Sequence, residues 1–409
     1  MAADRKQSAT DSKSKGLQYA AFASVPLVLV LGNSMLVPIL PDMAKQMKLS
    51  ELQASLVITI FSVAAGLFIP ITGYLSDRYK RKFIIIPSLA VYGAAGVLAG
   101  FGALWHSYPI LIASRALQGL AAAGTSPIAM ALVGDIYKSE ASEALGLIEA
   151  SNGFGKVISP ILGSLLALII WYAPFFAFPI FCAASLLAVL FLIKEPKDDK
   201  KKVPLPEYLQ GIRGVFRDNG RWLLPAFASG ALGLFILFGV LFYLSDTLEK
   251  APYSIDGVAK GGLLAIPLLG LVITALLTGR SIKNNGRMMR TLMLVGLAIM
   301  TITLTGAAFS YRIMPLLIGL LTFSSVGTGL LLPCLNTLIT SSVERAQRGM
   351  ITSLYSSLRF FGVALGPPLF SWLGDVSVLV LFSVVVLLSA SAFVLVRQLI
   401  HPADQLKQS

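Results

Sequence analysis

Four charged side chains stand inside long apolar stretches of this 409-residue chain, and their spacing suggests proton and anion chemistry. Glu149, Asn152 and Lys156 follow one another at i, i+3 and i+7, which puts all three on one stripe of a helix. Burial raises the pKa of a carboxylate and a nearby cation lowers it again. The combination gives a group able to load and release a proton as its exposure changes. Glu149 is therefore the expected proton carrier, with Arg115 or Lys156 tuning it. The same stripe also reads as a static Glu149–Lys156 ion pair. Arg115, Gln118 and Gly119 fall at i, i+3 and i+4 and share one helical face. A guanidinium at the centre of a bilayer costs roughly 2.5 to 3.5 kcal/mol even on lenient scales, so Arg115 should face a polar cavity unless it lies shallow enough to snorkel. Arg359 is a fourth such charge, open to an anionic cargo, to Glu149 across a cavity, or to a packing role.

These residues need helices to hold them in hydrocarbon, and the composition supplies them. The chain is 56% hydrophobic and 13% charged, against roughly 45–50% and about 25% in soluble domains. Apolar stretches near the ~20 residues needed to cross a bilayer recur along it. They predict twelve helices, at 18–40, 53–75, 83–105, 108–131, 143–170, 172–193, 222–244, 257–279, 288–309, 313–338, 350–372 and 376–397. With the N-terminus inside, most of the 33 Lys and Arg fall in cytoplasmic loops and tails. The outward loops hold only Lys45, Lys48, Lys250, Lys260 and Arg312. This bias predicts cytoplasmic termini and accounts for the net charge of +13 without nucleic acid. The polar N-terminal stretch leads into apolar sequence without a small-residue cleavage site, so no removable signal peptide is expected.

The chain also looks duplicated. Gly73 and Arg81 recur as Gly279 and Arg287, and Pro127 recurs as Pro333 at the same displacement; Gly155 and Pro160 recur as Gly362 and Pro367 one residue further on. The expected organisation is a tail at 1–17, a six-helix bundle at 18–193, a cytoplasmic linker at 194–221, a second bundle at 222–397 and a tail at 398–409. The linker is read from LysAspAspLysLysLys at 197–202 and from Pro196, Pro204 and Pro206. Two such halves place a cargo site between them near the bilayer midplane.

Several motifs support this fold. The stretch Gly73-Tyr-Leu-Ser-Asp77-Arg78-Tyr-Lys-Arg81-Lys82 sets an aspartate among four cations behind a glycine that permits close packing. It resembles the loop signature of the major facilitator superfamily, with Lys80 where that signature usually has glycine. The resemblance implies an all-α membrane fold of two pseudo-symmetric six-helix bundles and a conformational latch at Gly73, Asp77, Arg78 and Arg81. The segment around Arg115 is similar to the helix-four signature of proton-coupled members, where the arginine is implicated in proton transfer. Gly146, Gly155, Pro160 and Gly163 space small residues for close, adjustable packing. They resemble the antiporter signature on helix five, with Ser159 and Ser164 where glycine is commonest. Leu31-Gly32-Asn33-Ser-Met35 through Pro38 and Pro41 is similar to the first-helix signature of twelve-helix drug:proton antiporters.

The expected cargo cavity comprises Asn33, Met35, Gln118, Asn152, Lys156, Phe238, Tyr355 and Arg359. Embedded cations outnumber Glu149, which favours anionic or zwitterionic cargo, a metabolite or siderophore among them. A GxxxxGK[ST] phosphate loop is absent from the sequence, so coupling to a proton gradient without a cofactor is expected. Cys182 and Cys334 lie in apolar runs, and His106 and His401 lie far apart in sequence, so neither a metal site nor an enzyme is expected. The resulting expectation is a monomeric exporter in the cell membrane, exchanging a small organic molecule for protons. A proton-coupled importer and a transporter-like sensor or assembly protein are the alternatives.

Overall fold

The structure, a computed structural model, describes residues 2–137, 141–195, 204–282, 285–342 and 348–405; within them the side chains of 2–15, 141–147, 149, 404 and 405 are outside the description. Twelve helical crossings follow in order. The first is composite: α1 (Ala2–Ser34), a 3-10 turn at Val37–Ile39 and α2 (Leu40–Met47). Then come α3 (Glu51–Arg78), α4 (Arg81–Leu104), a broken fourth crossing of α5 (Tyr108–Ala122) and α6 (Ser126–Tyr137), α7 (Ala141–Ala167) and α8 (Ala173–Leu192). The second half has α9 (Leu205–Glu249), α10 (Gly257–Ile282), α11 (Gly286–Ser310), α12 (Met314–Ser341), α13 (Arg348–Val376) and α14 (Val378–Leu399), closed by the short α15 (Pro402–Gln405).

Among the described residues ten helices are long and apolar enough to cross a membrane. The other two crossings, α7 and α13, are as long, at 27 and 29 residues. They occupy equivalent places in the two halves and hold the embedded Glu149, Lys156 and Arg359. Lower hydropathy, not length, sets them apart. An even number of crossings leaves both termini on one face of the bundle, the termini face. The opposite side is the far face.

Two boundaries differ most from expectation. The seventh crossing begins at Leu205 instead of 222, so 205–221, expected as linker, is helix continuous with α9. Pro204 and Pro206 suggested an irregular linker, but Pro204 is the residue before the helix and Pro206 lies in its first turn, where a missing N–H leaves no helical hydrogen bond unmade. At about 1.5 Å per residue the helix is roughly 68 Å long, about twice the hydrocarbon core. Its first part therefore lies beyond that core, where Tyr208 meets Tyr74 edge-on with ring centroids 4.9 Å apart. At the other end, the helix expected from residue 18 is already formed at Ala2.

The breaks in the first and fourth crossings have local causes. Pro38 and Pro41 each open a new helical segment within α1's crossing and lack the N–H that would continue the preceding turn. Between α5 and α6 the amides of Gly124 and Thr125 bond back only three residues, to Ala121 and Ala122. The chain thus tightens before Pro127.

The halves meet through helices two and eleven (α3 with α13) and through five and eight (α7 with α10). Exchanging the halves turns one pairing into the other. The α3–α13 seam is traced by contacts from Thr59 to Gly73 on α3. Thr59 donates to the Ala364 carbonyl at 2.7 Å, Ser357 donates to the Gly66 carbonyl, and Gly73 faces Ser353. On α7, Gly163 lies against the backbone of the 3-10 turn's approach, where a Cβ would stand 2.2 Å from the Met35 carbonyl oxygen. Backbone cannot rotate aside as a side chain can. Gly163→Ala is therefore expected to lower stability by about 1–3 kcal/mol, the usual range for overpacking, and to lower the melting temperature in detergent; an unchanged melting temperature would show that the first crossing yields freely.

Candidate functional site

Arg115 is the most completely enclosed charge described, with 0% exposure. The broken first crossing and α3 shape its surroundings. Nε donates to the Val57 carbonyl at 2.9 Å, Nη1 to the Gly32 carbonyl at 3.2 Å and to Gln118 Oε1 at 2.8 Å, and Nη2 to Asn33 Oδ1 at 2.8 Å. Phe61 covers the guanidinium face 4.4 Å from its ring centroid. The acceptors are neutral, so Arg115 joins α1, α3 and α5 through charge-assisted bonds. Gly119, one turn along, fits where a Cβ would stand 2.1 Å from the Phe61 carbonyl oxygen.

Three residues expected to line the cavity are drawn into this cluster. Asn33 and Gln118 are buried and spend their side-chain oxygens on Arg115, and Met35 is buried beside them. The i, i+3 pairing of Arg115 with Gln118 was legible from spacing. The bond to Asn33 was not, because it closes across 82 residues of sequence.

A second group faces the interior from α7 and α13. On α7, Gly155 and Gly163 turn toward the first crossing, Gly153 packs on Val272 of α10, and Phe154 is exposed. Helical spacing places Asn152 and Lys156 between the first-crossing and α10 directions, away from Phe154. Both are half-buried, and Lys156 has interaction partners. The side chain of Glu149 and the surroundings of Gly146 lie outside the description. On α13, Arg359 is half-buried; its Nη1 donates to Asn336 Oδ1 of α12 at 3.4 Å, and its guanidinium lies 5.5 Å from the Tyr355 ring centroid. Tyr355 is buried against Phe227 and Gly230, and among the described residues neither its hydroxyl nor Arg359 Nε has a hydrogen-bond partner. Phe238 is half-buried on α9 and packs on the apolar core. Asn336 was not anticipated; an asparagine alone in an apolar helix was the available signal.

At the termini face the loop motif forms a compact ion-pair network. Arg81 is buried and holds Asp135 of α6 at 2.6 Å and Asp77 at 3.6 Å. Glu195, just past α8, accepts from the backbone amides of Arg81 and Lys82, capping the start of α4. Asp77 reaches toward the other half: its Oδ2 lies 3.7 Å from where a Cβ on Gly349 would stand, at the N-terminal turn of α13. Arg78 does not join the network. It is turned outward and donates to Tyr74. Asp135 and Glu195 were not among the expected latch residues, because each is a lone carboxylate at a helix end.

With this geometry in view, the comparisons decide the family. The family model of the Major Facilitator Superfamily matches residues 22–293 and 250–408. The chain belongs to the major facilitator superfamily. It is 43% identical over 357 residues to a Bacillus subtilis (strain 168) protein named bacillibactin exporter, covering 86% of this chain and 88% of that one. It is 27% identical to multidrug efflux protein YfmO of the same strain, covering 87% and 85%. Among solved structures it is similar to the human organic anion transporter MFSD10, at 20% identity with a TM-score of 0.74, covering 93% of this chain and 99% of that one. At that identity the likeness bears on the fold alone. This superfamily member is a multi-pass membrane protein of two six-helix bundles that moves a small-molecule substrate across the membrane.

Proposed function

We propose that this transporter exports a small anionic or zwitterionic molecule of the siderophore class across the cell membrane in exchange for protons, with the termini face cytoplasmic. The observation that carries this reading is the 43% identity to the bacillibactin exporter over most of both chains. The embedded charge supports the cargo class, because Lys156 and Arg359 face the interior while Arg115 is satisfied by neutral acceptors. Arg359, half-buried with its Nε unbonded among the described residues, favours an anion brought between the halves. Glu149 carries the coupling proton in this proposal, on the same stripe as Lys156.

The division of labour differs from one in which Arg115 meets cargo or proton directly. Arg115 positions the first crossing, and Lys156 and Arg359 meet the cargo. In everted vesicles energised by respiration, bacillibactin should accumulate and should be displaced by oxygen-rich anions more than by lipophilic cations. Arg359→Gln should raise the KM for the anionic cargo by about tenfold, as expected for the loss of one charge-assisted contact, with a smaller change in kcat. Acceptance of lipophilic cations alone would contradict the proposed cargo class.

A further inference from the structure

At the far face the two halves are joined by charge pairs that the proposed mechanism has not used. Glu249, at the end of α9, is shared by two lysines. Lys260 of α10 reaches its Oε2 at 2.8 Å from the same half, and Lys45 of α2 pairs with its Oε1 from the other half. Next to them, Lys250 bridges Asp246 of its own half at 2.7 Å and Glu51, the first residue of α3, at 2.5 Å. Asp42 and Asp256 add charge to the Glu249 cluster. Ser245 donates to the Val37 carbonyl at 3.1 Å, tying α9 to the 3-10 turn. The two ion pairs that cross between halves run in opposite senses: the first half gives a cation to one and an anion to the other. Only one register of the two halves satisfies both.

Exposure separates the permanent part of this cluster from the releasable part. The side chains of Lys260 and Glu249 are 1% and 5% exposed, so this pair is held out of water within the second half. Lys45, Lys250 and Glu51 are 68%, 56% and 37% exposed. They can return to water at little cost when the halves part, as exposed ion pairs do. Burial works against the charge of Lys250, yet its two carboxylates hold its pKa above the usual lysine value, so it stays a cation throughout the physiological range. The seam beneath is tight: Gly261, next to Lys260, packs on the Pro160 carbonyl and Ser164 of α7.

We propose that Lys45–Glu249 and Glu51–Lys250 form a reversible clasp that holds the far mouth closed, and that both pairs break each time this transporter opens to that face. The proposal rests on the reading of the chain as an alternating-access exporter. Lys260 is the anchor that keeps Glu249 charged and in place while Lys45 leaves. Losing a cross-half partner should therefore shift the transporter toward the state open at the far face and leave each half folded.

A cysteine at Ser245 reports the opening, since Ser245 is buried at the junction of α9 and the 3-10 turn. The chain without that substitution gives the background, its Cys182 and Cys334 being buried. A membrane-impermeant maleimide is added in turn to right-side-out and to everted vesicles. Relative to Ser245→Cys alone, Lys45→Glu and Glu51→Lys should each label about five- to tenfold faster, because each replaces attraction by repulsion across the seam. Lys45→Arg, which keeps the pair, should label at the parent rate. Faster labelling confined to right-side-out vesicles supports both the clasp and the cytoplasmic termini. The same acceleration confined to everted vesicles supports the clasp and overturns the orientation. Equal rates in all four proteins from both sides, with melting temperatures unchanged, would overturn the clasp. Thermal melting of Lys45→Arg and Glu51→Lys keeps the comparison interpretable if Lys45→Glu fails to fold.

Discussion

Arg115→Lys is expected to abolish most transport while the protein still inserts and folds. The guanidinium makes four hydrogen bonds from three nitrogens, reaching the Gly32 and Asn33 end of α1, the Val57 carbonyl of α3, and Gln118 on its own helix. An ammonium keeps the charge but has no planar fork, so it cannot reach α1 and α3 together. At about 1.5–3 kcal/mol for each bond from a charged donor, losing even one working contact corresponds to roughly a tenfold or larger fall in rate if the junction moves in the transport cycle. Arg115→Ala goes further. It leaves Asn33 and Gln118 buried without their cationic donor and should lower both the amount of folded protein and its melting temperature. Wild-type flux in Arg115→Lys would show that charge, and not the fork, is what this position needs.

Glu149→Gln should separate transport from its energy source. The amide cannot ionise, so a carrier that depends on proton exchange at Glu149 loses uphill export completely. Downhill exchange of labelled for unlabelled bacillibactin should continue, because that half-cycle requires cargo alone. A static Glu149–Lys156 pair makes the opposite prediction. Uphill and exchange rates would then fall together, and Lys156→Met in the same chain would restore both by removing the stranded cation.

The sequence made the count of crossings legible because apolar length is a local property, and hydrocarbon enforces it. Asp77 and Arg81 were legible for a similar reason: they lie close in sequence, on either side of the short break between α3 and α4. The start of α9 was hidden because Pro204 and Pro206 have two readings, linker and first turn, and only the turns that follow distinguish them. The far-face clasp was hidden by distance. Lys45 and Glu249 are 204 residues apart, and Lys250 and Glu51 are 199 apart. In a linear reading these lysines are loop charges that bear on orientation. Asn33 and Gln118 were expected to line the cargo cavity, but both accept hydrogen bonds from a buried cation. Their partner is Arg115, and no periodicity in either segment could reveal a bond between the first and fourth crossings.

Export by this transporter is proposed to depend on the exchange of cargo for protons. That dependence is tested most directly with purified protein in liposomes carrying an internal pH dye and an imposed proton gradient. Adding bacillibactin should produce proton flux in the wild-type protein that depends on cargo concentration, and none in Glu149→Gln. Movement of labelled bacillibactin through the wild-type protein with no accompanying proton flux would contradict the account.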